Sequence, residues 1–281
     1  MKITHDKIAS IKGNLFYRSR DIVSNYDEFP WHVYHNNVDT DKVQSSQALA
    51  IDFWGCLNSS EFKNELINNF FGKSANDWVI ELEYTDSALL NEPTSTQIDV
   101  LLKSSECVIF IESKFTEQGG KCSQPNKKCN GNYQLQTNPE NGIESKCSLT
   151  GKKIKYWDYI DKVTLFKKDD EYLPCPFKGI EYQWMRNICF AKAYSEHNHG
   201  IQAEAYLFYY SSSKCHISKK VLDGEYLGKL KDKLITNFKA ISYNDYLSFC
   251  IDYLKHKDNE EIKVWLGLKE WLIEKEKKIK E

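Results

Sequence analysis

Asp99, Glu112 and Lys114 are the residues whose types and spacing suit chemistry. Twelve residues lie between Asp99 and Glu112, and one lies between Glu112 and Lys114. In a strand, positions two apart point to the same face, so Glu112 and Lys114 share one. A hairpin partner carrying Asp99 would set a second carboxylate opposite them. Two carboxylates suit a hard dication, Mg²⁺ or Mn²⁺, which takes oxygen ligands and keeps several waters. Such a cation polarises a phosphoryl oxygen and lowers the pKa of a bound water. The lysine would orient or deprotonate that water, or neutralise charge building on phosphate. Ile109-Phe110-Ile111 precede Glu112, so the charges close an apolar strand, where an unpaired charge is costly. The competing reading is an ordinary surface ion pair, because Glu-x-Lys triplets are common in a chain that is 28% charged.

The elements that must position these residues follow from periodicity. Residues 44–72 read as helical, with apolar stripes Leu49, Phe53, Trp54, Leu57 and Phe62, Leu66, Ile67, Phe70. Asn58-Ser59-Ser60 should divide them into two helices, a serine capping the second. Three strands are predicted at 78–84, 97–102 and 107–115, the last two joined by a hairpin at Lys103-Ser104-Ser105-Glu106. Residues 181–196 read as a helix, 203–210 as an aromatic strand, and 241–254 as a helix opened by Ser242 and Asn244. Residues 258–281 read as a terminal amphipathic helix carrying Ile262, Trp265, Leu268 and Leu272 on one face. The order helix, three strands, insertion, helix, strand predicts an α/β fold around a mixed sheet. One domain over 1–281 is expected, with its core at about 31–255. Residues 1–30 carry no assignable pattern.

Residues 117–150 differ in kind, being rich in Gly, Asn, Ser, Lys and Cys. They predict a long inserted loop. Cys122, Cys129, Cys147 and Cys175 could hold Zn²⁺ or an iron–sulfur cluster. There is no C-x₂-C pair, so the weightier reading makes them loop cysteines, with Cys107, Cys189 and Cys250 in the core. Residues 152–168 and 214–239 are lysine-rich and read either as phosphate- and base-contacting surfaces or as solvated faces. His197 and His199 read as helix-end residues, and for His32 and His35, flanking Tyr34, a DNA or metal role is the lesser reading.

Gln97-Ile98-Asp99 followed by Ile111-Glu112-Ser113-Lys114 resembles the PD-(D/E)XK nuclease superfamily, which holds restriction endonucleases and RecB-like nucleases. Ile98 stands where the family has proline. The resemblance implies that Asp99 and Glu112 bind metal, that Lys114 is the catalytic lysine, and that the Ser113 carbonyl faces the metal. Ser45 to Ala50 is similar to the first helix of a restriction-endonuclease-like bacterial branch. Gln183 and Arg186 resemble its glutamine-bearing helix, which implies a substrate-binding role for Gln183; the other reading is an exposed helix glutamine. The implied fold is a restriction-endonuclease-like α-β-β-β-α-β core. The implied activity is Mg²⁺-dependent cleavage of DNA in restriction or defence. The alternatives are a repair or junction-processing nuclease, or a non-catalytic nucleic-acid-binding module.

Composition sets outer bounds. A 281-residue chain with 41% hydrophobic and 14% aromatic residues can bury a large core. A net charge of −2 excludes a globally basic polyanion binder, so nucleic-acid contacts must be local. The start MKITHDKIAS lacks a signal-peptide core, and no apolar run is long enough to span a bilayer. A cytoplasmic protein with reduced thiols is expected, with DNA as partner, no membrane, and a homodimer as an open option.

Overall fold

The computed structural model describes residues 3–92, 96–124, 147–166 and 175–279. The chain opens with helix α1 (His5–Gly13) and a small hairpin, β1 (Val33–Tyr34) and β2 (Asn37–Val38). Helices α2 (Ser46–Ser59) and α3 (Lys63–Phe71) lead into strands β3 (Val79–Asp86), β4 (Thr96–Lys103) and β5 (Cys107–Lys114). Helices α4 (Ser148–Gly151), α5 (Tyr156–Val163) and α6 (Tyr182–His197) then carry the chain to β6 (Gln202–Tyr209). Helix α7 (His216–Leu222), strand β7 (Lys239–Ser242), helix α8 (Tyr243–Leu254) and helix α9 (Asn259–Lys278) complete it.

The large sheet has five strands in the order β3-β4-β5-β6-β7. The first three form an antiparallel meander, and β5, β6 and β7 run parallel. A parallel step needs a crossover, and the β5–β6 crossover carries α5 and α6. Both faces of the sheet are covered. Leu101, Val108 and Phe110 pack with Trp157, Ile160, Trp184 and Ile188 of α5 and α6. Val100, Leu102, Ile109 and Ile111 pack with Phe53 and Trp54 of α2, Tyr243 and Tyr246 of α8, and Trp265 of α9. Every residue of β5 is therefore buried, as its unbroken apolar run requires.

The expected α/β class and mixed sheet are present. The α2–α3 division falls where Asn58-Ser59-Ser60 placed it, but the cap differs. Ser45 caps α2, accepting from the Ala48 N–H at 3.2 Å. Helix α3 begins after Phe62 without a side-chain cap, and Ser60 instead accepts from the Phe62 N–H at 3.1 Å. The short β7 was not expected; four residues that run directly into α8 carry too little alternation. Tyr156 and Trp157 lie in the core, so they are not stacking platforms within the basic stretch. Residues 125–146 of the expected loop, with Cys129, lie outside the described residues. Cys147 and Cys175 are buried among the core residues of the α5–α6 side. No helix of the described residues is long and apolar enough to cross a membrane.

Candidate active site

The β4–β5 ladder runs from Lys103↔Val108 to Val100↔Ile111 and then ends. One step further, Asp99 takes over a backbone donor: its Oδ2 accepts the Ser113 N–H at 2.7 Å. The two strands part there, opening a notch at the carboxyl end of β5. Glu112 and Lys114 share a face, as the spacing predicted, and the Lys114 ammonium donates to Glu112 Oε1 at 2.6 Å. Ser113 points the other way. Its hydroxyl lies 2.8 Å from the buried Tyr243 hydroxyl, which also accepts from Trp54 Nε1 at 3.1 Å. Helices α8 and α2 thus pin the strand from behind and hold its charged face toward α6.

Helix α6 closes the notch. Asn187 Nδ2 donates to Glu112 Oε2 at 2.9 Å, and the Arg186 guanidinium lies 4.0 Å from the same oxygen while donating to the Gln97 carbonyl at 3.0 Å. Gln183, one turn earlier, accepts the Gly120 N–H at 2.7 Å and ties the loop after β5 to the helix. Gly119 makes that approach feasible, since a Cβ there would lie 2.2 Å from the Ile180 carbonyl and 2.3 Å from the Trp184 ring. Gln183, Arg186, Asp99, Glu112 and Lys114 all line one cavity of about 310 Å³.

The electrostatics divide the two acids. Burial works against charge on Glu112, but Lys114 and Arg186 outweigh it and hold the carboxyl below its ordinary range. Burial also opposes charge on Lys114, and Glu112 and Asp99 more than offset it, so the group stays an ammonium. Asp99 has no such cation in contact. Loss of water, then repulsion from Glu112, push it up to about 8. The cations nearby, Lys114 and His32, only partly offset this, so Asp99 is the undercompensated acid of the notch.

Glu83, to which the sequence alone gives no role, and His32, for which it weighs against a metal role, stand beside Asp99. Leu82 pairs with Val100 and Tyr84 with Ile98, while Glu83 between them takes φ +55° and leaves the ladder. That left-handed residue flips the alternation: Leu82 packs on the α2 side and Tyr84 on the α6 side. Glu81 stays exposed, as alternation predicts, but Glu83 is buried. Its carboxylate accepts from Gln47 Nε2 at 2.7 Å and Gln97 Nε2 at 2.6 Å, with His32 Nε2 at 3.3 Å. Burial lowers the pKa of His32, but hydrogen bonding and charge attraction from Glu83 prevail and raise it to about 9. Ligand atoms of His32, Glu83 and Asp99 all lie within 4.8 Å of one another, the group among the described residues that could hold a metal ion. Strict alternation puts Glu83 outside, so the signal was hidden. Two glutamines flanking the site, Gln47 and Gln97, were the available hint.

A five-stranded mixed sheet between helical layers, with charged side chains at its splayed end, is compatible with a restriction-endonuclease-like core. Residues 14–266 match the protein family described as Restriction Endonuclease associating with ARP, and the chain belongs to that family. No curated protein and no solved structure matches the chain.

Proposed function

We propose that this chain is a metal-dependent endonuclease of the PD-(D/E)XK type that hydrolyses phosphodiester bonds of DNA in a restriction or defence role. The observation that carries the reading is the convergence of Asp99, Glu112 and Lys114 in one notch, with the Lys114 ammonium 2.6 Å from Glu112. Membership in a restriction-endonuclease family supports the same activity and supports DNA as the substrate.

Asp99 and Glu112 would hold the cation, with Glu83 and His32, whose ligand atoms lie within 4.8 Å of each other and of Asp99, as further donors. The donor set fits: it is rich in carboxylate oxygen, and a dication supplies the positive charge that Asp99 lacks. Mg²⁺ suits the carboxylates, and the imidazole of His32 widens the fit to Mn²⁺. When bound, the cation polarises the phosphoryl oxygen and acidifies a water. The chain's residues do the rest. Glu112, held by Asn187 and Lys114, is already oriented before substrate arrives. A lysine this close to a carboxylate stays charged, so Lys114 donates to the attacking water or to a phosphoryl oxygen rather than removing a proton. Arg186, fixed on the Gln97 carbonyl, adds positive charge where the phosphate would enter.

Plasmid cleavage in Mg²⁺ and in Mn²⁺ tests this, with wild type beside Lys114→Ala, Glu112→Gln and Asp99→Asn. Cleavage by wild type, with a loss of about 10²-fold or more in each variant, is expected. Equal cleavage by all four would sink the site assignment. No cleavage of any nucleic acid by wild type would favour a binding module.

A further inference from the structure

A second cleft opens directly beside the catalytic notch. Its volume is about 660 Å³, and it shares His32, Ser46, Gln97 and Glu117 with the notch. The cleft needs its own explanation, because the chemistry just described uses none of its outer wall.

That wall is the β1–β2 hairpin. Only two residue pairs hold it, Val33↔Val38 and Tyr34↔Asn37. A ribbon this short is not stable alone. Its turn residues His35 and Asn36 both adopt positive φ, 48° and 61°, the geometry of a tight hairpin turn. The root is fixed inside the site: the His32 N–H donates to Gln47 Oε1 at 3.0 Å, and Gln47 also reaches Glu83. The tip packs on little. Tyr34 is 62% exposed and Val33 is 54% exposed. Lys42 holds its ammonium 5.6 Å from the Tyr34 ring centroid and 3.9 Å from Asp39 Oδ2, so the rim carries a half-exposed ion pair, and the His35 ring lies edge-on to Tyr34 at 4.1 Å. The opposite wall and floor are polar, with exposed Gln44 beside Ser45 and Ser46.

These features together suit one kind of ligand. A flat aromatic ring at the mouth of a polar cleft stacks a planar partner, and amide and hydroxyl groups behind it read that partner's edge. A neighbouring ammonium held only by an exposed pair with Asp39 can turn to an anion attached to that partner, since such surface pairs are weak. A nucleobase with its phosphate meets all three conditions, and the cleft adjoins the place where the scissile phosphate would sit. Base stacking on an aromatic side chain needs an exposed π-face, which bases within a duplex do not offer.

We propose that this cleft is a nucleotide subsite, in which an unpaired base of the substrate strand next to the scissile phosphate stacks on Tyr34, with Gln44 at its edge and Lys42 at its phosphate. The inference rests on the nuclease reading and adds to it a preference for an unstacked base.

The test uses the full chain with Tyr34→Phe and Tyr34→Ala. Binding is read by fluorescence anisotropy on a labelled single-stranded oligonucleotide and on its duplex, in a Lys114→Ala background with Mg²⁺. Cleavage is read as KM and kcat in the otherwise wild-type chain. Because Tyr34 is exposed, thermal midpoints should not move, which separates a lost contact from a lost fold. Tyr34→Phe should bind within about two-fold of its parent, whereas Tyr34→Ala should bind the single strand about ten-fold or more weakly, with a smaller effect on the duplex. The same loss should raise KM more than it lowers kcat. Unchanged binding and KM in Tyr34→Ala, while wild type still cuts, would overturn the subsite and leave the nuclease reading standing. A Tyr34→Phe variant as weak as Tyr34→Ala would overturn stacking, since only the hydroxyl differs. A wild type that neither binds nor cuts would bring down the nuclease reading, and the subsite with it.

Discussion

Glu112, Glu83 and Asp99 meet Lys114, Arg186 and His32 at the notch, and their pairing is uneven. Glu112 has Lys114, Arg186 and Asn187, Glu83 has His32 and two glutamines, and Asp99 has a single backbone donor. The imbalance has a pH consequence. Asp99 is raised from 3.8 to about 8, so the folded chain keeps a proton that the unfolded chain gives up. By linkage, that contribution to stability is full below pH 3.8 and is lost as pH rises through about 8. His32, raised from 6.5 to about 9, acts in the same direction over its own window. Thermal midpoints measured in EDTA should therefore fall across this range, and Asp99→Asn should flatten the decline. A dication replaces the proton, so stabilisation by Mg²⁺ should grow with pH. If midpoints in EDTA rise instead with pH in wild type and Asp99→Asn alike, the uncompensated acid is not Asp99. The imidazole makes a second prediction. His32→Ala should weaken Mn²⁺ binding more than Mg²⁺ binding, as titrated by Mn²⁺ electron paramagnetic resonance with Mg²⁺ competition. Equal weakening of both would remove His32 from the ligand set.

Strand β5 and helix α6 are the two elements that set the geometry. The strand is anchored on both faces, by Tyr243 behind Ser113 and by Asn187 in front of Glu112. The helix presents Gln183, Arg186 and Asn187 at intervals of three and four residues, which fall on one side of a helical turn. Their loop contact depends on Gly119, where a side chain has no room. Gly119→Ala should force the loop off α6, costing about 1–3 kcal/mol in stability and lowering cleavage, because Gln183 loses its hold on Gly120. Calorimetry and a cleavage assay on the same sample check this; full activity at an unchanged midpoint would show that the loop position is immaterial.

The N- and C-terminal parts of the chain close over the back of the sheet through one buried ion pair. Asp52 on α2 accepts from the Lys275 ammonium at 2.7 Å, from Trp271 Nε1 at 2.9 Å and from the Phe16 N–H at 2.6 Å. Neither Asp52 nor Lys275 is more than 2% exposed. Removing one partner strands the other, so Lys275→Met should cost about 3–5 kcal/mol. Denaturant unfolding measures it; a loss below about 1 kcal/mol would mean that Trp271, the Ser19 hydroxyl and the Phe16 N–H suffice. Because α2 also carries Gln47, which holds Glu83 and His32, this distant pair supports the site through the helix it anchors.

The chain's order of residues was enough to read β5 as a buried strand, since an unbroken apolar run can only be satisfied when both faces are covered. It was enough, too, to place Glu112 and Lys114 on one face and Asp99 on the neighbouring strand, because alternation and a four-residue gap leave little freedom. The α2–α3 break, the helix at Gln183 and the amphipathic α9 were legible for the same reason: each is written in local periodicity. What stayed hidden depends on contacts between distant segments. Glu83 breaks its strand's alternation by adopting a left-handed backbone, which only its buried network with Gln47, Gln97 and His32 can hold in place. His32 lies 51 residues from Glu83 along the chain, so no window of sequence joins them. Asn187 carries no local signal of a role; only β5 packed beneath α6 makes it a partner of Glu112. The three-residue motif was local chemistry, while the charge missing beside Asp99, and the residues gathered around that gap, were set by how the sheet opens in three dimensions.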